Sequence, residues 1–316
     1  MRVDLGPLTA PAMVATWNPD PTAMAAIAVV AGAYAWCYRR CRGPERLVGP
    51  AQVACAAAGV VLWVLATLGA VGAYAYVLFW VRALQVLLLL YVVPFLLALG
   101  KPVTLARSAT GPAGRDRIDR FLSSRAARVL AHPLTTSLAM LGVPWLLYLT
   151  PWYTAALRDG GCGAATRILL VVVGFVYFYA RLQADPVPRR FPQLLSLLIT
   201  VAEALGDGVL GLVLWQGPLI GAAYYAGVHR SWGPDQRLDQ TIGAGVLWIL
   251  GDLIGWPFVL VLMRALTRDE KAQAVRVDAE LDAAQAVVDE AADTGAGAPG
   301  LWWENDPDLR DRFRPR

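Results

Sequence analysis

The sequence predicts an all-α protein: a polytopic helical bundle of about seven transmembrane helices, N-terminus outside and C-terminus cytoplasmic. Three observations carry this expectation. Of 316 residues, 57% are hydrophobic and only 16% are charged, whereas a soluble domain carries about 25% charged residues. The apolar residues gather into long uninterrupted runs, and about 20 helical residues cross about 30 Å of hydrocarbon. Basic residues are rich in alternate loops and sparse in the others, the pattern that sets orientation.

Residues 1–21 read as an external N-terminal segment, without the ordered charged, apolar and small-residue regions of a cleavable signal peptide. Residues 22–263 form the transmembrane domain. The first span, roughly Thr22–Tyr38, follows "TWNPDPTAM", where Pro21 and Thr22 suit a helix start. The second and third are roughly Ala51–Gly72 and Ala75–Leu99. The fourth, Leu134–Thr150, opens after "AHP" and contains Pro144, which predicts a kink. Ile168–Gln183, Gln193–Trp215 and Thr241–Met263 complete the set.

Arg39, Arg40, Arg42 and Arg46 lie in the first loop. Lys101, Arg107, Arg115, Arg117, Arg120, Arg125 and Arg128 lie in the third. Arg181, Arg189 and Arg190 flank the fifth, and Arg264, Arg268 and Lys271 follow the last span. Seven spans place all four groups on one side, the cytoplasm. The net charge of +4 then reflects arginines attracted to anionic lipid. Nucleic-acid binding is the weaker reading, because no module or aromatic-basic platform accompanies these residues. Residues 264–292, rich in Ala, Glu, Asp and Lys, predict a cytoplasmic helix. Residues 293–316 begin with the break "TGAGAPG" and contain Trp302 and Trp303; they read as a flexible or interfacial tail, or as a docking peptide.

Four ionisable residues, Arg82, Glu203, Asp207 and Asp252, sit inside the apolar runs. Each costs about 2.5–3.5 kcal/mol at the centre of a span, so such groups face the bundle interior and pair. Glu203 and Asp207 are one turn apart and share a helix face. Matching depths along antiparallel spans pairs Arg82 with Asp207 and turns Glu203 and Asp252 toward the same interior. The cluster reads either as an ion pair that fixes packing or as a cation or proton site.

Soft or imidazole ligands for a metal are few. His132, before Pro133, reads as a helix-start contact before a ligand, and His229 as a solvated loop histidine. Cys37 and Cys41 share one helical face, and Cys55 lies one turn into the antiparallel neighbour. The three thiols suit Cu(I), but "CYRRC" lacks a recognised metal spacing, and small packing residues are the alternative. Cys162, on the other side, cannot bond with them. No zinc, phosphate-loop or nucleophilic-triad signature is present, which argues against an enzyme. A transporter or channel using the acidic interior is the reading from another class; against it, no internal repeat is visible.

The third span and its exit carry Phe79, Gln85, Pro94 and "LALGKPVTLARS". In order, "TWNPDP" precedes them, and "AHPLTT" with His132, "ADPVPRRF" with Asp185, and "LDQTIGAGVLWILGDL" with Asp239, Gln240 and Trp248 follow. This series, over residues 17 to about 270, resembles the CtaG family, membrane assembly factors for cytochrome c oxidase. The resemblance implies a bacterial inner-membrane protein that helps mature a respiratory haem–copper oxidase, with copper handling, and with an oxidase subunit or a copper chaperone as partner besides membrane lipid. The family's His-Met pairs correspond here to Arg82 with Ala83 and to Val86 with Leu87; its Met before the Trp corresponds to Leu247. Thioether and imidazole suit copper, and none remains at these positions. A fixed positive charge at Arg82 also opposes a cation.

Overall fold

The computed structural model describes residues 5–41, 48–183, 185–186, 193–250 and a discontinuous set between 253 and 286. Among these residues all regular structure is helical. The chain divides into two compact units, Met1–Met263 and Arg264–Arg316. In the second unit residues 274–283 are helical. Asp252 and the Trp302–Trp303 tail lie outside the described residues.

After a short helix α1 (Ala10–Ala15), α2 (Pro21–Arg40) starts where Asp20 accepts the amides of Thr22 and Ala23. These are orphan donors of a helix start, and proline at the first position has no amide to satisfy. Helices α3 (Pro50–Thr67) and α4 (Ala70–Tyr74) form one apolar stretch broken at Leu68–Gly69. Next come α5 (Phe79–Leu87), a π-turn at Leu88–Val92, and α6 (Val93–Leu99). Pro94 supplies no amide to the Leu90 carbonyl, and the wider π-turn absorbs the ring that would clash there. The freed Leu90 carbonyl faces Gly174, where any Cβ would overlap the oxygen. Glycine is therefore required for this close approach.

Three shorter helices follow: α7 (Pro102–Ala109), α8 (Pro112–Ser123) and α9 (Arg125–Leu130). Then come α10 (Pro133–Leu149), α11 (Trp152–Arg158) and α12 (Gly160–Leu182). Pro144 lies inside α10, which continues through it as one helix; the large bend, 74°, comes between α10 and α11. There the Thr150 hydroxyl donates to the Leu146 carbonyl and accepts the Trp152 amide, closing one helix and starting the other. Last are α13 (Gln193–Gln216), α14 (Ala222–Ala226), and α15 (Gln236–Gly245) running into a second π-turn at Val246–Leu250.

Four helical stretches among the described residues are long and apolar enough to cross a membrane: Pro21–Arg40, Pro50–Tyr74, Phe79–Leu99 and Gly160–Leu182. The bent pair α10–α11 makes a fifth if it is one span. This marks a membrane protein. The Phe79–Leu99 stretch is the centre: 67% of its apolar window is buried, against 11% for α2. Its Phe79, Val86, Leu90 and Val93 pack with Trp63, Met140, Leu147 and Tyr177. Helix α2 instead exposes Val29, Val30 and Trp36, a surface suited to lipid. A groove of about 660 Å³ opens beside it, lined by Val29, Tyr34, Val60, Trp63, Leu105 and Phe175.

Candidate functional site

The start of α5 is the most polar part of the core, and α15 builds it. The Phe79 and Trp80 amides donate to the Asp239 carboxylate at 3.1 and 2.9 Å. Arg230 completes the group, with Nη2 3.0 Å from Asp239. Next in sequence, Gln240 donates to the Leu214 and Pro218 carbonyls at 2.7 and 3.0 Å and accepts the Ile220 amide at 2.7 Å. Asp239 is thus a helix cap supplied from 160 residues away, and Gln240 clamps the turn that follows α13. Gly243 lets the two helices meet, since a Cβ there would lie 2.5 Å from Phe79. Asp185 does the same work at α7, accepting the Val103 and Thr104 amides at 3.0 Å.

Arg82 lies one turn into α5 and is 1% exposed. Its Nη1 donates to the Gln85 Oε1 at 2.7 Å, and Gln85 donates to the Ala66 carbonyl at 2.8 Å. Among the described residues, Nε and Nη2 of Arg82 have no hydrogen-bond partner, and neither does the buried hydroxyl of Tyr148. Tyr148, Tyr153, Tyr224 and Tyr225 all feel the Arg82 charge. The hydroxyls of Tyr153 and Tyr225 are 2.7 Å apart, and Phe79 packs on both rings.

The expected pair between Arg82 and Asp207 does not form: among the described residues no carboxylate lies within ion-pair distance of Arg82. Asp207 instead accepts the Tyr91 hydroxyl. Tyr91 is nine residues beyond Arg82, about 14 Å along a helix, so Asp207 sits too deep to reach the guanidinium. Glu203 does face the interior with Asp207, but its cation is Arg181, at 3.0 Å. The Tyr177 hydroxyl also donates to Glu203, and Arg181 donates to the Ser137 hydroxyl. The Arg181 guanidinium lies 4.6 Å from the Tyr177 ring centroid, a cation–π contact.

The thiols do not assemble. Cys37 is buried with Val48, Leu105 and Ala109, and the Cys41 thiol donates to the Leu105 carbonyl at 3.6 Å. Helix α7 fills the space before that face, and among the described residues no three His, Cys, Asp or Glu side chains gather with metal-holding geometry. His132 caps α10, its Nδ1 accepting the Leu134 amide at 3.2 Å. Trp248 packs over Gly208 and Gly211 of α13.

Besides Arg107, which pairs with Asp119 in a more exposed position, sequence reasoning missed three pairing arginines. Arg181 read as a loop-flanking charge, Arg230 lay in a loop, and Arg167 lay just before the fifth expected span. Arg167 forms an ion pair with Asp20 and donates to the Tyr76 hydroxyl at 2.9 Å. Burial pushes the Asp20 carboxyl up, but the Thr22 hydroxyl, the Ala23 amide and the Arg167 charge outweigh it, and its pKa lies below the ordinary 3.8. The tyrosines at 148, 153, 224 and 225 were the available signal for a polar interior around Arg82.

An uncharacterised protein of Mycobacterium leprae is 28% identical over 236 residues, which cover 72% of this chain and 36% of that protein. An uncharacterised protein of Mycobacterium bovis is 29% identical over 289 residues, 87% of this chain and 43% of that protein. The chain therefore spans less than half the length of these relatives. No solved structure matches. The model of the cytochrome c oxidase caa3 assembly factor family matches residues 32–269, which include Asp185, Asp239 and Gln240 and the whole polar core around Arg82. The chain belongs to the cytochrome c oxidase caa3 assembly factor family.

Proposed function

We propose that this chain is a non-catalytic assembly factor for a respiratory haem–copper oxidase, embedded in the bacterial inner membrane. It crosses seven times, N-terminus outside and C-terminus cytoplasmic, as the alternation of arginine-rich loops requires. It acts as a scaffold that holds an oxidase subunit, or a copper chaperone, during maturation. The observation that carries this reading is the family match across 32–269.

Copper as a cargo bound in the core does not fit the residues present. Where the resemblance places His and Met, Ala83, Val86 and Leu87 are closely packed apolar side chains, 0–1% exposed, and Arg82 brings a positive charge. Cation or proton conduction through the acidic interior is the weaker reading, because Glu203 is neutralised by Arg181 and Asp207 is hydrogen-bonded by Tyr91.

The test is deletion of the gene, followed by difference spectra of the oxidase haems and terminal oxidase activity in isolated membranes. Loss of both, restored by the wild-type chain, is the expected result. Unchanged spectra and activity overturn the assignment. Restoration by a Cys37→Ser, Cys41→Ser, Cys55→Ser triple variant is expected if no thiol carries copper.

A further inference from the structure

We propose that the chamber around Arg82 binds one small monovalent anion of halide size, held by Nε and Nη2 of Arg82 and by the Tyr148 hydroxyl. The reading is independent of the oxidase assignment.

Charge comes first. A guanidinium stays protonated in proteins, so Arg82 carries its charge into a site that is 1% exposed. A buried charge without a partner is strongly unfavourable, and the interior must supply a counter-charge. Among the described residues, the core carboxylates are engaged elsewhere. Asp239 accepts the Phe79 and Trp80 amides and pairs with Arg230. Glu203 pairs with Arg181, and Asp207 accepts from Tyr91.

The hydrogen-bond inventory points the same way. Among the described residues, Nε and Nη2 of Arg82 present N–H groups with no acceptor, and Tyr148 presents an unused O–H. In the Tyr153–Tyr225 pair one hydroxyl donates to the other, which leaves the acceptor's own proton free. The Gln85 Oε1 acceptor is already taken by Arg82 Nη1. Donors outnumber acceptors, and the missing group is an acceptor with negative charge. Its size is bounded by the packing: Arg82, Tyr148 and Tyr153 are each 1% exposed, so the core closes tightly around them. That excludes an organic acid and leaves a single ion.

The test uses the full chain purified in detergent and exchanged, at constant ionic strength, between sodium gluconate, chloride and bromide. A saturable rise in thermal midpoint with chloride or bromide, absent in gluconate, is expected. So is release of about one halide per chain on denaturation, read by ion chromatography. Arg82→Gln abolishes both effects, and Tyr148→Phe, a milder change, weakens the halide dependence several-fold. Equal midpoints in all three salts with no halide released overturn the proposal and leave a neutral water as the missing acceptor. Halide effects that persist unchanged in both variants overturn it as well, as an adventitious ion only.

Discussion

Arg82 and Arg181 are equally buried, each 1% exposed, yet their surroundings differ in kind. Arg181 meets a carboxylate, a serine hydroxyl and an aromatic face, contributed by α10, α12 and α13. Arg82 meets one glutamine from its own helix, within electrostatic reach of a group of tyrosines. The first is an ion pair that joins helices. The second is a charge whose partners among the described residues are all neutral. Burial of an arginine thus says nothing about its role until the groups around the guanidinium are counted.

This contrast predicts opposite responses to the same substitution. Arg181→Met leaves Glu203 buried without its cation and is expected to destabilise by about 3–5 kcal/mol, measured by denaturant unfolding in detergent. A smaller loss would mean that water reaches Glu203. Asp239→Ala removes the cap of α5 and the partner of Arg230, and is expected to cost about 2–3 kcal/mol. Asp185→Ala, at the matching cap of α7, is expected to cost about 1–2 kcal/mol. Arg82→Met sharpens the comparison most, because its sign differs: in halide-free buffer the thermal midpoint is expected to hold or rise. A fall as large as that for Arg181→Met would show that Arg82 has a protein counter-charge after all.

The smallest effect concerns the Asp20–Arg167 pair. The folded-state pKa of Asp20 is depressed below 3.8, so its contribution is fully present above that value and is lost as pH falls through the folded pKa. Wild type is expected to lose slightly more stability than Asp20→Asn between pH 5 and pH 3, in about that window. Parallel pH curves for the two proteins would break the assignment.

Much of the helical layout was legible because each element has a strong local signal. Pro21, Pro50 and Pro133 open helices where the sequence places starts, and the apolar runs coincide with α2, α3–α4, α5–α6, α10, α12 and α13. The partners of the buried charges were not legible. Depth along an ideal helix put Arg82 beside Asp207, but pairing depends on which helices touch, and that is long-range information. Arg181 illustrates the same limit: a basic residue ending an apolar run reads as a loop anchor until Glu203 is found 3.0 Å away. Asp185 and Asp239 stood out only through the family resemblance, since a cap supplied across 160 residues has no local signature. The π-turn at Leu88–Val92 had only Pro94 to announce it.

The cap on α5 also sets an order of events. Two amides at the head of the central helix have their acceptor 160 positions later in the chain. During synthesis they lack this acceptor until the segment bearing Asp239 is made. A polypeptide cut short before that point keeps an open helix end next to Arg82. Helix α15 therefore closes the head of a helix laid down long before it.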